Sequence, residues 1–171
     1  MDSDSDERIK SLDINIHSLT PEEFKKSLDK MIVIYQNGYK NLEEYAYKRR
    51  HDIKSYLKWL YKIDPESFLT AFSKDKPIGF IAGCRFWQDK IFGEIGEIHE
   101  LVVDKTFQRK GVGKKLFQEI FIDFREHHDK IGLWVGENNI NAISFYRQTG
   151  FKVTGKVGRW LRMIKEILPG C

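Results

Sequence analysis

The sequence predicts an α/β domain in which helices cover both faces of one sheet. Three features support this: early helical segments, a run of strand-like segments in the middle, and a closing part in which strands and helices alternate. The chain has 171 residues, 41% of them hydrophobic, which suits one globular domain with a full core. We expect residues 11–171 to form that domain and residues 1–10 to form an acidic, flexible tail.

The first part of the chain begins with one strand and continues with two helical stretches. Residues 12–16 alternate apolar and polar side chains, as a half-buried strand does. Residues 20–23 read Thr-Pro-Glu-Glu, a helix start in which threonine caps, proline fits the first turn and glutamate completes a capping box. The helical pattern runs from there to about residue 36 and resumes over residues 41–62.

The rest of the chain is dominated by strand patterns, interrupted by two helices. The predicted strands cover residues 68–73, 78–87, 93–104, 131–135, 151–154 and 160–167. One helix begins near Val112, because apolar side chains recur from there at helical spacing on one face. The other covers residues 139–148 and ends before Gly150.

Composition and charge exclude several classes of protein. The longest apolar run is only a few residues, and the acidic N-terminus lacks the basic and apolar regions of a signal peptide. Cys84 and Cys171 are too far apart in sequence to indicate a disulfide framework or a metal site, and the five histidines show no ligand spacing. We therefore expect a cytoplasmic protein that binds no metal.

A basic loop joins a predicted strand to the helix that begins near Val112. It comprises Gln108, Arg109, Lys110, Gly111, Val112 and Gly113, and Lys114 follows it. The glycines allow close backbone approach, the first helical turn offers free N–H groups, and the helix dipole favours negative charge. The loop therefore predicts a site for a ligand with several phosphates, although a basic turn without any ligand also fits.

Two common phosphate-binding motifs do not fit this loop. A Walker loop requires glycine at position 108 and serine or threonine at position 115, where the chain has Gln108 and Lys115. A dinucleotide-binding fingerprint requires a third glycine at position 116, where the chain has Leu116. The loop instead resembles the (Gln/Arg)-x-x-Gly-x-(Gly/Ala) acyl-CoA loop of the GNAT N-acetyltransferases.

A second motif of that superfamily follows downstream. It consists of Asn139, Ala142, Tyr146, Gly150 and Phe151. The resemblance covers residues 78–167, and it implies the GNAT fold, a central mixed, largely antiparallel sheet of six to seven strands with helices on both faces. Residues 12–62, which match only in the order of elements, would form the first strand and the acceptor-side helices. Residues 67–171 would form the acetyl-CoA-binding core and the closing strands.

The resemblance implies transfer of an acetyl group from acetyl-CoA, the cosubstrate, to a primary amine by direct attack in a ternary complex. It places the pyrophosphate on the backbone of residues 109–113 and the pantetheine arm beside the backbone of Val103. Asn139 would reach the same arm, although asparagine is also a favoured helix cap. A GNAT-fold sensor or scaffold that binds acyl-CoA without turnover is the alternative.

Catalytic roles follow from the same resemblance. The N–H of Leu101 would stabilise the oxyanion, freed by a bulge in its strand. Tyr146 would protonate the leaving thiolate, with a merely packing tyrosine as the alternative. The strand is also similar to that of aminoglycoside 6′-N-acetyltransferases, which makes Glu97 and His99 candidates for the base, beside ordered water alone.

Strand alternation predicts which of these side chains share a face. Glu100 is the third candidate for the base on this strand. Glu97, His99, Leu101 and Val103 point to one face of the sheet, and Glu100 points to the other unless a bulge turns it inward. We therefore predict that Glu97 and His99 lie next to Leu101.

The expected partner is an amine acceptor, either a small molecule or a peptide. Peptide N-termini, lysines, polyamines and aminosugars all fit the sequence. The many tyrosines between residues 35 and 61 either line an aromatic pocket for an amine or pack the early helices onto the sheet, and packing is expected for most of them. We expect neither a membrane nor a nucleic-acid partner. A homodimer is left open.

Overall fold

The computed structural model describes residues 13–167, which form one seven-stranded sheet with helices on both faces. The strands are β1 (Ile14–Ser18), β2 (Phe68–Ser73), β3 (Lys76–Asp89), β4 (Gly93–Val103), β5 (Lys130–Gly136), β6 (Lys152–Val157) and β7 (Trp160–Glu166). The α-helices are α1 (Pro21–Gly38), α2 (Arg50–Ile63), α3 (Val112–Phe124) and α4 (Ile140–Gln148). The predicted tail, residues 1–10, lies outside the described residues.

The sheet is mixed and largely antiparallel, as predicted. Its strand order is β1-β2-β3-β4-β5-β7-β6, and only the β4–β5 pair is parallel. The fold class is therefore confirmed, including the number of strands.

The two early helices differ in how well the sequence predicts them. Helix α1 begins where expected, because Thr20 and Glu23 form both hydrogen bonds of a capping box. Helix α2 begins at Arg50, so the prediction that helical structure resumes at residue 41 is wrong. Asn41 has a φ of 71°, outside the right-handed helical region, and a single 3₁₀ turn over Glu43–Tyr45 follows it. The segment between α1 and α2 is consequently an irregular connection.

Each face of the sheet carries its own hydrophobic core. Helices α1 and α2 pack against one face, over side chains such as Phe68, Phe80 and Val102. Helices α3 and α4 pack against the other, over Ile98 and Leu133 among others. Residues of β4 therefore belong to one core or the other according to the direction of their side chains.

A bulge interrupts the alternation of β4. Ala82 of β3 pairs with Glu100, but the next residue of β3, Gly83, pairs with Ile98. His99 is the extra residue on β4. Side chains before and after such an insertion no longer alternate as they do in a regular strand. The bulge that the GNAT resemblance implies is thus present in this strand.

The bulge makes the predicted grouping of side chains wrong. Leu101 and Val103 pack against the α3–α4 core. His99 and Glu100 instead contact aromatic side chains of helices α1 and α2. Glu97 and His99 therefore do not share a face with Leu101, and Glu100 joins His99.

The sheet also opens beside this bulge. Strands β4 and β5 pair only from Gly96 to Ile98, opposite Ile131 to Leu133. Beyond these residues the two strands diverge, and the gap between them gives access to both faces of the sheet.

Candidate functional site

A cavity of about 660 Å³ lies where β4 and β5 separate, a volume typical of ligand pockets. The β4 bulge, the end of β5, helix α4 and the segment between α1 and α2 all contribute to its wall. Its aromatic lining comprises Tyr35, Tyr39, Tyr45, Tyr47, Tyr56, Trp134, Tyr146 and Trp160. The aromatic pocket that the sequence predicts is therefore formed, with both Glu100 and Tyr146 in its wall.

The predicted phosphate loop has the backbone of an anion-binding turn. Arg109 and Gly111 both adopt left-handed conformations, with φ values of 61° and 82°. Gly111 is the N-cap of α3, and no side chain caps the first turn, so its N–H groups are available to a ligand. The Gln108 amide donates to the carbonyl oxygen of Val103 at 3.0 Å, which ties the loop to the end of β4.

Glu100 is a buried carboxyl group held by two tyrosines. The hydroxyl of Tyr39, the residue that follows α1, donates to its Oε1 at 2.5 Å, and the Tyr56 hydroxyl of α2 donates to its Oε2 at 3.0 Å. Burial raises the pKa of Glu100 to about 7, although both hydroxyls and the Leu101 N–H oppose the rise. A carboxyl group with a pKa near neutrality is suited to accept and release protons at physiological pH.

Glu97 forms a buried ion pair with Arg162, which makes its carboxylate unsuited to act as a base. Arg162 donates to its two oxygens at 2.6 and 2.9 Å, and also to Asp89 at 2.8 Å. The Trp134 ring lies 5.2 Å from the Arg162 guanidinium. Burial raises the pKa of Glu97, and Arg162 opposes that rise. The ion pair therefore links β4 to β7 across the intervening strand β5.

His99 is neutral at physiological pH. Its ring contacts Trp59 and Trp87 edge to face, at centroid distances of 5.3 and 4.6 Å. Burial, assisted by the charge of Arg162, lowers the pKa of His99 to about 4. Its Nε2 is buried and has no hydrogen-bond partner among residues 13–167. This imidazole is therefore a weak proton acceptor.

Tyr146 is buried on α4 and reaches the cavity from the opposite core. Burial, followed by the charge of Glu100, raises the pKa of Tyr146 well above its usual value, so the phenol stays protonated. Asn139 accepts from the N–H of Ala142 at 3.4 Å and thereby caps α4. Asn139 is therefore a helix cap, the alternative to contact with the pantetheine arm, and it also lines the cavity.

The sequence favours Glu97 and His99 as candidates for the base, whereas the structure draws attention to Glu100. The arrangement around Glu100 depends on Tyr39 and Tyr56, which lie 61 and 44 residues before it. No local pattern joins these positions. The one available signal was the density of tyrosines before residue 62, which indicates an aromatic wall without identifying the acid inside it.

Residues 13–167 contain neither a membrane-spanning helix nor a cluster of metal ligands. Over 13–167, no helix combines the length and the apolar character needed to cross a membrane. Within the same range, no cluster of three or more histidine, cysteine, aspartate or glutamate side chains could hold a metal ion.

Known proteins are similar to this chain in sequence and in architecture. The chain is 35% identical over 146 residues to an uncharacterized N-acetyltransferase of Methanocaldococcus jannaschii, which covers 84% of this chain and 64% of that protein. The crystal structure of PH1933 from Pyrococcus horikoshii is similar with a TM-score of 0.83 and 42% identity, covering 90% of this chain and 98% of that one.

A more distant structure supports the fold alone. The crystal structure of the PaiA N-acetyltransferase from Thermoplasma acidophilum, in complex with coenzyme A, has a TM-score of 0.68 and 23% identity. It covers 90% of this chain and 98% of that one.

The family model described as the acetyltransferase (GNAT) family matches residues 29–151. This chain belongs to the GNAT family of acetyltransferases.

Proposed function

We propose that this protein transfers the acetyl group of acetyl-CoA to a primary amine by direct attack in a ternary complex. The observation that carries this proposal is the pairing across one cavity of Glu100, whose pKa is about 7, with Tyr146, which stays protonated. One group can accept a proton and the other can donate one, which are the two proton transfers that the reaction requires. The similarity to proteins named N-acetyltransferases supports the same activity.

The loop at residues 108–113 and the end of β4 would together hold acetyl-CoA. The N–H groups of residues 109–113, beside Arg109, Lys110 and Lys114, would hold the pyrophosphate. A Cβ atom added at Gly113 would lie 3.8 Å from the nearest atom of the Val103 side chain, an ordinary van der Waals contact. There is therefore open space beside the backbone of this turn. The pantetheine arm would then run beside Val103 towards the gap between β4 and β5.

The proposed reaction begins with removal of a proton from the amine. An ammonium group has no lone pair, so Glu100 would take its proton, directly or through one water. The neutral amine attacks the thioester carbonyl carbon and forms a carbon–nitrogen bond, and the Leu101 N–H would stabilise the resulting oxyanion. The carbon–sulfur bond then breaks, and Tyr146 would give its proton to the departing thiolate. The attacking nitrogen still carries one proton more than an amide does, and this proton would pass to the Tyr146 phenolate, directly or through water, and restore the phenol.

The direct test of the proposal is turnover of acetyl-CoA with a mixed panel of amines and peptides, with free thiol as the readout and mass spectrometry of the products. Free thiol that appears only when an acceptor is present, together with an acetylated product, supports the proposal. Tight binding of acetyl-CoA without turnover of any acceptor would support the alternative, a non-catalytic acyl-CoA sensor or scaffold.

Gly111→Val is expected to weaken acetyl-CoA binding by more than about tenfold. Gly111 has a φ of 82°, a conformation that β-branched residues strongly disfavour, so valine would turn the neighbouring N–H groups away from the pyrophosphate. Titration calorimetry measures the dissociation constant, and a thermal melt reports whether the variant stays folded.

Gly93→Val provides the matched control. Gly93 also has a positive φ, 74°, and open space around it, but it is the first residue of β4, next to the turn that follows β3. This substitution carries a similar backbone cost and should leave the dissociation constant of acetyl-CoA at the wild-type value. Wild-type affinity in a folded Gly111→Val protein would show that the loop does not hold the cofactor.

A further inference from the structure

We infer that Arg162 is a positioning residue for acetyl transfer, and that it fixes the point where β4 and β5 separate by binding Glu97 across Gly132. The inference rests on the proposed function and adds to it a residue that does not line the cavity. Three observations carry it: the path of the Arg162 side chain, the space left by Gly132, and the place of the ion pair beside the gap in the sheet.

The Arg162 side chain crosses the sheet from β7 to β4. Strand β5 lies between these two strands, and its residue Gly132 pairs directly with Glu97 of β4. The guanidinium donates to both carboxylate oxygens of Glu97 and also to Asp89, the last residue of β3. Arg162 and Glu97 are only 4% and 2% exposed. One buried side chain therefore connects β7 to both β4 and β3.

Gly132 leaves the space that this crossing needs. A Cβ atom at position 132 would lie 2.5 Å from Nη2 of Arg162 and 2.7 Å from Oε2 of Glu97, closer than such atoms approach in folded proteins. Trp134 lies two residues further along the same face of β5, and its ring covers the guanidinium at 5.2 Å. The ion pair is therefore enclosed by the backbone of β5 and by an aromatic ring.

The ion pair lies where the gap between β4 and β5 begins. These two strands pair over three residues of β4, and Glu97 is the middle one of the three. The bulge at His99 follows two residues later, and the strands diverge beyond it. Such a short run of backbone pairing leaves little to hold β4 against β5. A bidentate contact between a guanidinium and a carboxylate adds a directional restraint at this point.

The position of β4 relative to β5 determines the geometry of the proposed reaction. Glu100 and the Leu101 N–H follow Glu97 closely on β4, whereas Tyr146 lies on α4, the helix after β5. The proposed base and the proposed acid are therefore carried by opposite sides of the gap. A displacement of about 1 Å between reacting groups can lower a rate by about 10²-fold. Apolar side chains of similar volume often stabilise a fold as well as a buried ion pair does, so we assign this pair a positioning role.

Gly132→Ala tests the inference without changing a charge or a residue of the cavity lining. The added methyl group would displace the ion pair, so we expect the single-turnover rate at saturating acetyl-CoA and acceptor to fall by about tenfold. The dissociation constant of acetyl-CoA, measured by titration calorimetry, should stay at the native value, because the loop at residues 108–113 lies beyond the end of β4. The acceptor is the primary amine that the native protein acetylates fastest in the panel above.

Gly155→Ala is the matched control. Gly155 pairs with Arg162 from the other side, on β6, and a Cβ atom there would lie 3.8 Å from the Arg162 Cβ, an ordinary contact. This variant adds the same methyl group beside the same residue and should keep the native rate and the native affinity.

A double variant, Glu97→Leu with Arg162→Met, separates the effect of the ion pair from local crowding. It removes both charges together, because a single substitution would leave a buried charge without its partner. Asp89 keeps two backbone N–H groups as donors. We expect the double variant to be about tenfold slower than the native protein. Gly132→Ala should cause no further loss in that background, because no ion pair remains to be displaced.

The remaining outcomes are distinct. A purely structural ion pair would lower the melting temperature and leave the single-turnover rate of folded Gly132→Ala protein unchanged, which would overturn the inference. A full further loss from Gly132→Ala in the double background, or a loss of acetyl-CoA affinity together with the rate, would also overturn it. If one variant does not fold in a thermal melt, the rate of the other decides. If the native protein releases no thiol with any acceptor, the proposed function is wrong and the inference fails with it.

Discussion

Glu100→Gln should lower kcat/KM by about 10²-fold or more and remove its rise with pH through neutrality. The acceptor amine must lose a proton before it attacks, and Glu100 is the buried carboxyl group that faces the cavity without an ion-pair partner. Because a base acts in its deprotonated form, activity of the native protein should be low below the pKa of Glu100, which is about 7, and should rise above it. Initial rates of thiol release over a pH series measure this profile.

The groups around Glu100 do not titrate near its pKa. Tyr39 and Tyr56 face it from α1 and α2, and Tyr146 faces it from α4. Burial raises the pKa of each tyrosine well above its usual value. His99, on the same strand, has a pKa of about 4. A free alkyl amine loses its proton only at about pH 10, so a midpoint near 7 would belong to Glu100.

Two variants sharpen this test. His99→Gln alters the neighbouring residue of β4 and should retain the midpoint. Tyr39→Phe removes a hydrogen bond that stabilises the ionised carboxyl group, so it should raise the midpoint. Loss of the pH dependence in His99→Gln, with Glu100→Gln still showing it, would return the role of base to the histidine.

Much of the fold follows from local pattern. The capping box of Thr20 and Glu23, the apolar stripe of α3 and the run of strands each depend on short-range spacing, and each is present in the structure. The connection after α1 departs from its pattern, because Tyr45 leaves the helical path to pack against Gly136, a contact 91 positions away in the sequence. Helical spacing alone carries no information about such a partner.

The arrangement of the candidate site depends on the register between β3 and β4, which shifts by one residue at the bulge. Alternation along β4 predicts that Glu97 and Leu101 share a face. The extra residue at His99 places them on opposite faces and brings Glu100 towards α1 and α2. A bulge is set by how two strands pair, and Ala82 and Gly83 carry no sign of it in their own sequence. The loop at residues 108–113 was easier to predict, since glycines before a helix indicate its conformation directly.

Tyr146→Phe should cut the rate of acetyl transfer by about 10²-fold while leaving acetyl-CoA affinity close to that of the native protein. Phenylalanine retains the buried ring and removes only the proton that the thiolate would receive. The raised pKa of Tyr146 makes its phenol a weak acid in the resting protein, and the negative charge of Glu100 contributes to that rise in pKa. Once Glu100 has taken the amine proton, this charge is neutralised, and Tyr146 becomes a stronger acid at the stage when the thiolate departs. The two proton transfers would in this way be coupled across the cavity.

Single-turnover kinetics with saturating acceptor isolate the chemical step, and titration calorimetry measures the affinity for acetyl-CoA. Tyr61→Phe is the matched control, because the Tyr61 hydroxyl donates to the Leu19 carbonyl at 2.8 Å outside the cavity lining. That variant loses one internal hydrogen bond and should keep the native rate. An unchanged single-turnover rate in Tyr146→Phe would mean that the ring only packs against Phe151, and that the thiolate takes its proton from water.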